Sequence, residues 1–365
     1  MSGETILLTP GPLTTRIETR RAMMRDWGSR DAAFIALTAE MRERLLAVCR
    51  GQNSHVAIPL QGSGTFIVEA AITSLVKPND KFLVLVNGAY GERMVEIARR
   101  LDRNVEALRW PENRPVDPKQ VDQALTADAA ISHVALVHCE TTSGLLNPLK
   151  AVADVVVKHK RALLLDAMSS FGALDIDLAT TPITAVLASS NKCLEGVPGL
   201  GFALVEKSAI VGAKGVSCSL SLDLHDQWRG LESNGQWRFT PPVQVVAALV
   251  EALRALDEEG GPVARLRRYQ DNFATLAAGM RRLGFHLFLD EAVQAPIIAT
   301  FRPPENRRFD FEKFYTALAE RGFVIYPGKL TKAESFRIGC IGALDRGDFE
   351  RLLASIEIVL KEEAA

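Results

Sequence analysis

At 365 residues the chain is longer than one compact core usually needs, which points to about two domains. Hydrophobic residues make up 47% and charged residues 24%, with a formal charge of −1, so a strongly basic nucleic-acid binder or membrane-surface protein is excluded and a soluble globular class expected. Cys49, Cys139, Cys193, Cys218 and Cys340 are scattered without a CxxC pair, and the 6 histidines form no HxxxH pair, so neither a disulfide framework nor a metal site is expected.

The start, "MSGETILLTPGPLTT", has no basic region before a long apolar core and is not expected to be a signal peptide. No apolar run approaches the ~18 residues of a membrane span, and the default location is the cytoplasm. "RRLDR" and "ARLRR" sit at helical spacing and read as solvated faces.

In chain order, "KFLVLVNG" (81–88) predicts a buried strand. "GERMVEIARRL" (91–101) predicts a helix, with Met94, Val95, Ala98 and Leu101 on one face. Strands follow at 104–110, 131–138, 161–167, 183–190 and 201–207, with helices at 118–125 and 149–160 between them. Strands apolar throughout, interleaved with helices, argue a mainly parallel sheet covered on both faces. The pattern then changes to long helices at 242–260 and about 263–282. Short strands "GFHLFLD", "APIIATFR", "GFVIYPG" and "SFRIGC" follow, with helices at 311–321 and about 346–361. We expect a large α/β unit (16–250) and a smaller α+β unit (251–365 with 1–15), the change falling in the helix near 245–260.

Ligands of such sheets bind beyond the carboxyl ends of the strands. Four groups deserve notice on that rule. In "LQGSGTFIVEAA" (60–71), Ser63, Gly64 and Thr65 precede an apolar helical pattern and suit either a phosphate or ordinary capping. No Gly-Lys-Ser/Thr follows, and the run is not GxGxxG, so nucleotide loops are excluded. Asp166 ends "ALLLDA", where a buried carboxylate needs a partner: a ring N–H⁺, a helix end or a cation. Lys192 in "SSNKCLEGVPGLGF" is either a solvated lysine or an imine-forming amine with a lowered pKa. Around it Ser189 and Ser190 leave room for a ligand, Asn191 sets the turn, and Gly196, Gly199 and Gly201 turn the backbone into the next strand. Arg337 in "SFRIGCIG" can present its fork to an anion or close a rim ion pair. Together, in this order, phosphate cradle, strand-end aspartate and loop lysine are the three anchors that pyridoxal 5'-phosphate needs.

From these anchors outward the chain resembles the class-V, fold-type I pyridoxal-phosphate aminotransferases. The matching stretches include "LLTPGPLTT", "LQGSGTFIVEAA", "VNGAYGERM", "VHCETTSGLLNP", "LLLDAMSSFGALDID", "SSNKCLEGVPG", "SLSLDLHDQW" and "WRFTPP", and run nearly end to end; "RDWGSRDAAF" lies in a more variable part. "SSNKC", "SLSLDL" and "GFVIYPGK" resemble the branch that moves an amino group from 2-aminoethylphosphonate to pyruvate. The resemblance implies a seven-stranded, mainly parallel sheet between helices. It implies that Lys192 carries the cofactor and Asp166 pairs with its ring nitrogen. Ser63, Gly64 and Thr65 would hold its phosphate, with Asn191 nearby. Tyr90 and Met168 would cover the two ring faces, and Thr142 would lie near the ring hydroxyl. Thr240 would reach the phosphate of a neighbouring subunit in a homodimer, and Arg337 would bind the acidic group of the substrate. Cysteine desulfurases of similar scaffold place a histidine where Tyr90 stands and need a mobile cysteine, for which Cys193 and Cys340 are poorly placed. An alanine–glyoxylate or serine–pyruvate aminotransferase would share every cofactor residue. A silent binding relative of the same fold has no reason to keep all the anchors.

Overall fold

Strand-forming apolar runs generate the central sheet of this computed structural model, which describes residues 5–304, 309–330 and 334–362. Its strands are β1 (His55–Gln61), β2 (Lys81–Val86), β3 (Asn104–Arg109), β4 (Ile131–Val137), β5 (Ala162–Asp166), β6 (Ala185–Ser189) and β7 (Leu200–Glu206). They lie in the order β1-β7-β6-β5-β4-β2-β3. All neighbours are parallel except β7, which is antiparallel to β1 and β6.

The two-residue period of a strand divides its side chains between two cores. Leu83 and Leu85 of β2 pack on one face with the helices Ala32–Val48, Leu149–Lys158 and Val243–Glu259. Phe82, Val84 and Val86 point the other way, against the helices Gly64–Leu75 and Ala89–Arg100. Both faces are covered there, which is why β2 is apolar at every position after Lys81.

The sequence pattern did not show β1 or the helices Ala32–Val48 and Leu224–Asn234. Pro59 breaks the strand signal of β1, and a proline is tolerated there because β1 is the sheet edge. The carbonyls of Ala57 and Pro59 are taken by Arg42 Nε (2.9 Å) and Gln227 Nε2 (3.1 Å), from those two unread helices.

Helix Val243–Glu259 gives Val246, Leu249, Val250, Leu253 and Leu256 to the first core and stops at Gly260, whose φ of 104° lies in the left-handed region. A new helix, Gly261–Arg282, begins at once and gives Leu276 and Met280 to a third core, with Phe285, Phe301, Phe336 and Phe349. That core is faced by an antiparallel sheet of β8 (His286–Leu287), β9 (Ile298–Arg302), β10 (Tyr326–Pro327) and β11 (Phe336–Gly339), in the order β8-β9-β11-β10. Leu8 belongs to it as well, because Ile6–Leu7 pairs in parallel with Phe323–Val324.

Candidate active site

The order of the strands reverses between β4 and β2, and a crevice opens beyond the carboxyl ends there. A cavity of about 390 Å³ fills it. Ser63, Gly64, Thr65, Tyr90, Asp166, Met168, Asn191 and Lys192 all line it. Residues spread over 130 positions of sequence are thus joined by the ends of β1, β2, β5 and β6.

The floor is the start of the helix Gly64–Leu75, where the N–H groups of Gly64 and Thr65 precede the first intrahelical bonds, made by Phe66 and Ile67 to Ser63 O at 3.0 and 3.4 Å. Gly64 packs so closely on Met168 that a Cβ would lie 2.6 Å from its Sδ. Asp166, the last residue of β5, is 5% exposed, and its Oδ1 accepts the Met168 N–H at 3.0 Å. Burial pushes its carboxyl up to about 6. A ligand that seats its phosphate on this helix start and brings a protonated ring nitrogen to Asp166 would relieve that burial cost.

Lys192 stands in a closed loop after β6. The Glu195 N–H donates to the Lys192 carbonyl and the Gly196 N–H to that of Ser190, both at 2.8 Å. Ser189 lines the cavity. Ser190 does not leave room for a ligand as expected: it is buried and uses its hydroxyl to bond Val197 O (2.5 Å) and Leu200 O (3.2 Å). The Lys192 amine donates to Pro10 O at 2.5 Å. Gly11 lies against the same side chain: at its φ of 105° a Cβ would be 2.7 Å from Lys192 Cδ. The "TPGP" segment therefore turns carbonyls toward the site, and the Gly11 N–H is taken by Thr9 Oγ1 (3.2 Å). Burial lowers the Lys192 amine to about 8, with Cys193 and Asp166 opposing the shift and Arg337 and Lys329 adding to it. Such an amine is neutral often enough near pH 8 to attack a carbonyl.

Three of the expected residues stand apart from the cavity lining. Thr142 is fully buried behind Tyr90, donating to Glu140 Oε1 (2.5 Å) and accepting from the Ala89 N–H (3.2 Å). Thr240 is exposed, in a depression with Ser29, Arg30 and Trp237. Arg337, on β11, is 6% exposed and donates from Nε to Pro327 O (3.1 Å) and from Nη1 to Thr141 O (3.0 Å).

Three residues had not been read from the sequence. Arg93 lines the cavity, one helical turn after Tyr90, with its guanidinium 5.0 Å from the Tyr90 ring centre and Nη1 3.3 Å from Thr65 Oγ1. Glu140 is fully buried and accepts from the Tyr90 N–H (3.2 Å), which caps the helix Ala89–Arg100. Burial raises its carboxyl. It follows the end of β4 as Asp166 ends β5, so the same strand-end rule could have found it. Lys329 places its amine 4.8 Å from the Tyr90 ring centre.

The family model for class-V aminotransferases matches residues 18–335, and the chain belongs to that family. It is a pyridoxal-phosphate-dependent transaminase, and the cavity residues fit that cofactor. The chain is 53% identical over 361 residues to 2-aminoethylphosphonate–pyruvate transaminase 2 of Burkholderia lata, covering 99% of this chain and 96% of the relative. It is 53% identical over 357 residues to the 2-aminoethylphosphonate–pyruvate transaminase of Pseudomonas aeruginosa, covering 98% and 96%. The crystal structure of an alanine–glyoxylate aminotransferase from Nostoc sp. is 26% identical, with a TM-score of 0.91 and coverage of 99% and 96%.

Proposed function

We propose that the enzyme moves the amino group of 2-aminoethylphosphonate to pyruvate, giving phosphonoacetaldehyde and alanine, as a step of phosphonate catabolism. What carries this reading is the meeting of Lys192, Asp166 and the Ser63–Thr65 helix start in one cavity, in a chain more than half identical to transaminases of that name.

When bound, pyridoxal phosphate supplies a carbonyl carbon for the amine and a ring that draws electrons from it. Ser63, Gly64, Thr65 and the helix start would hold its phosphate, Asp166 would hold a proton on the ring nitrogen, and Tyr90 and Met168 would pack on the ring. Lys192 Nζ carries the cofactor between turnovers. Once free, the Lys192 amine would take the proton from the donor carbon and, as the acid, deliver it to the cofactor's carbonyl carbon. Arg337 binds the phosphonate. Its Nη2 has no protein acceptor among the described residues. Losing one charge-assisted arginine bond weakens donor affinity roughly 10–150-fold.

The active form on this reading is a cytoplasmic homodimer. Thr240, exposed in its own chain, serves the partner's cofactor phosphate, and the exposed rings of Phe66 and Phe239 give that contact apolar area. The boundary between the large unit (16–250) and the small one (251–365 with 1–15) falls within the helix Val243–Glu259, whose Leu253 and Leu256 still pack in the first core. No helix among the described residues is long and apolar enough to cross a membrane.

An amino-donor panel tests the proposal. Alanine should form from pyruvate with 2-aminoethylphosphonate as donor. Turnover of alanine with glyoxylate, and none with 2-aminoethylphosphonate, would replace this reading by an alanine–glyoxylate one.

A further inference from the structure

Three cations gather around the Tyr90 wall of the cavity, more positive charge than a single carboxylate needs: Arg93 in the lining, Lys329 over the ring, and Arg337 on β11. Arg337 and Lys329 have no carboxylate within ion-pair distance among the described residues. Glu140 attracts both cations from beyond ion-pair distance, while its oxygens accept from Thr142 and the Tyr90 N–H; Asp166 accepts from the Met168 N–H. Unpaired cations of like sign repel one another, and an anion entering between them relieves that repulsion.

Lys329 stands two residues beyond the carbonyl that Arg337 holds. Tyr326 pairs with Arg337, and Pro327 with Phe336, in the ladder of β10 and β11. The Pro327 carbonyl accepts from Arg337 Nε. Gly328 then packs its backbone on Ser335, where a Cβ would lie 2.2 Å from the Ser335 carbonyl oxygen. Only glycine fits that approach, so the chain leaves the strand at a set place and Lys329 turns back over the Tyr90 ring. That ring is a wall of the cavity. A half-buried lysine over an aromatic face loses little freedom on binding a ligand, because the ring already orients its amine.

We propose that Lys329 is a specificity-determining residue, the second cation that, with Arg337, selects a doubly charged acid group on the donor over a carboxylate. This rests on the donor reading above and adds the residue that reads its charge. A carboxylate satisfies one guanidinium fork. A phosphonate has three oxygens and up to two charges, and can meet Arg337 Nη2 and the Lys329 amine together.

Binding of unreactive probes to the holoenzyme tests this, with ethylphosphonate and propionate titrated calorimetrically against wild type, Lys329→Gln and Lys329→Arg. Lys329→Gln should weaken ethylphosphonate about tenfold or more, leave propionate nearly unchanged, and keep the cofactor affinity of the wild type. Lys329→Arg should regain most of the loss. Equal losses on both probes, no loss on ethylphosphonate, or weaker cofactor binding instead would overturn the assignment. The probes are not turned over, so the ratio is read whether or not 2-aminoethylphosphonate proves to be the donor, and the two readings fail separately.

Discussion

Arg265 donates from Nη1 to the carbonyl oxygen of Cys193 at 2.8 Å, one residue beyond Lys192. The guanidinium is 1% exposed and belongs to a buried group of charges. Its Nε bonds Glu259 at 2.7 Å, and Arg268 bonds both Glu259 and Glu195 at 2.8 Å. Tyr269 adds a 2.6 Å bond to Glu195, and Arg268 reaches the carbonyls of Gly342 (2.5 Å) and Leu344 (3.0 Å), beyond β11. The lysine loop is thus tied to the helix Gly261–Arg282 and to the turn that follows the Arg337 strand.

Removing Glu195 leaves the buried Arg265 and the half-buried Arg268 to share Glu259 alone. Breaking such a network costs about 3–5 kcal/mol, far more than an exposed pair at ~0–1 kcal/mol. Glu195→Ala should lower the unfolding free energy by that amount in denaturant titration. A loss under ~1 kcal/mol would show that the loop is held by its backbone bonds alone.

Lys192, lowered to about 8 by burial, should capture added pyridoxal phosphate faster as pH rises, levelling above pH 8. Stopped-flow absorbance of the apoprotein reads this directly. In Lys192→Ala no borohydride-stable adduct should appear by mass spectrometry, and a normal yield of adduct would place the attachment on another residue.

Asp166 makes the apoprotein less stable at neutral pH. Its carboxyl stands at about 6 against an ordinary 3.8, so the folded state favours the protonated form. That stabilisation is complete below pH 3.8 and is lost as pH rises through 6. Above it the buried carboxylate costs (6 − 3.8) × 1.36, on the order of 3 kcal/mol. Asp166→Asn should therefore melt higher than wild type as apoprotein at pH 8, while its turnover with cofactor falls at least ~100-fold. An apoprotein that melts lower in the variant would mean that the carboxylate is solvated or paired.

Gly64→Ala probes the cofactor floor. The new Cβ would stand 2.6 Å from Met168 Sδ, and the thioether must shift into the space that the ring needs. Such crowding costs about 1–3 kcal/mol. It should appear as weaker pyridoxal-phosphate binding in a spectral titration, with secondary structure unchanged by circular dichroism.

Much of this site could be read before any coordinates. Lys192 and Asp166 each follow a short apolar run, and a polar residue at the end of a buried strand stands out against its neighbours. The helix start at Ser63–Thr65 is marked by its small residues. These are local signals, because side-chain periodicity and the breaks in it depend on residues adjacent in the chain. The alternation that sends Leu83 to one core and Phe82 to the other is of the same kind.

Other features depend on the path of the whole chain. The Lys192 amine meets the Pro10 carbonyl across 182 positions, and Arg337 meets Thr141 across 196. Glu140 resembles any strand-end carboxylate until the fold brings the Tyr90 N–H to it. The edge strand with Pro59 becomes one only when β7 pairs with it and Arg42 and Gln227 cover its open side. The sequence by itself determined most of the strands and helices and marked Lys192 and Asp166 as candidates, because those signals are written in neighbouring residues. Only the tertiary structure decided which charges gather around the Tyr90 wall of the cavity, because Coulomb forces and hydrogen bonds act over a few ångströms of space whatever the distance along the chain.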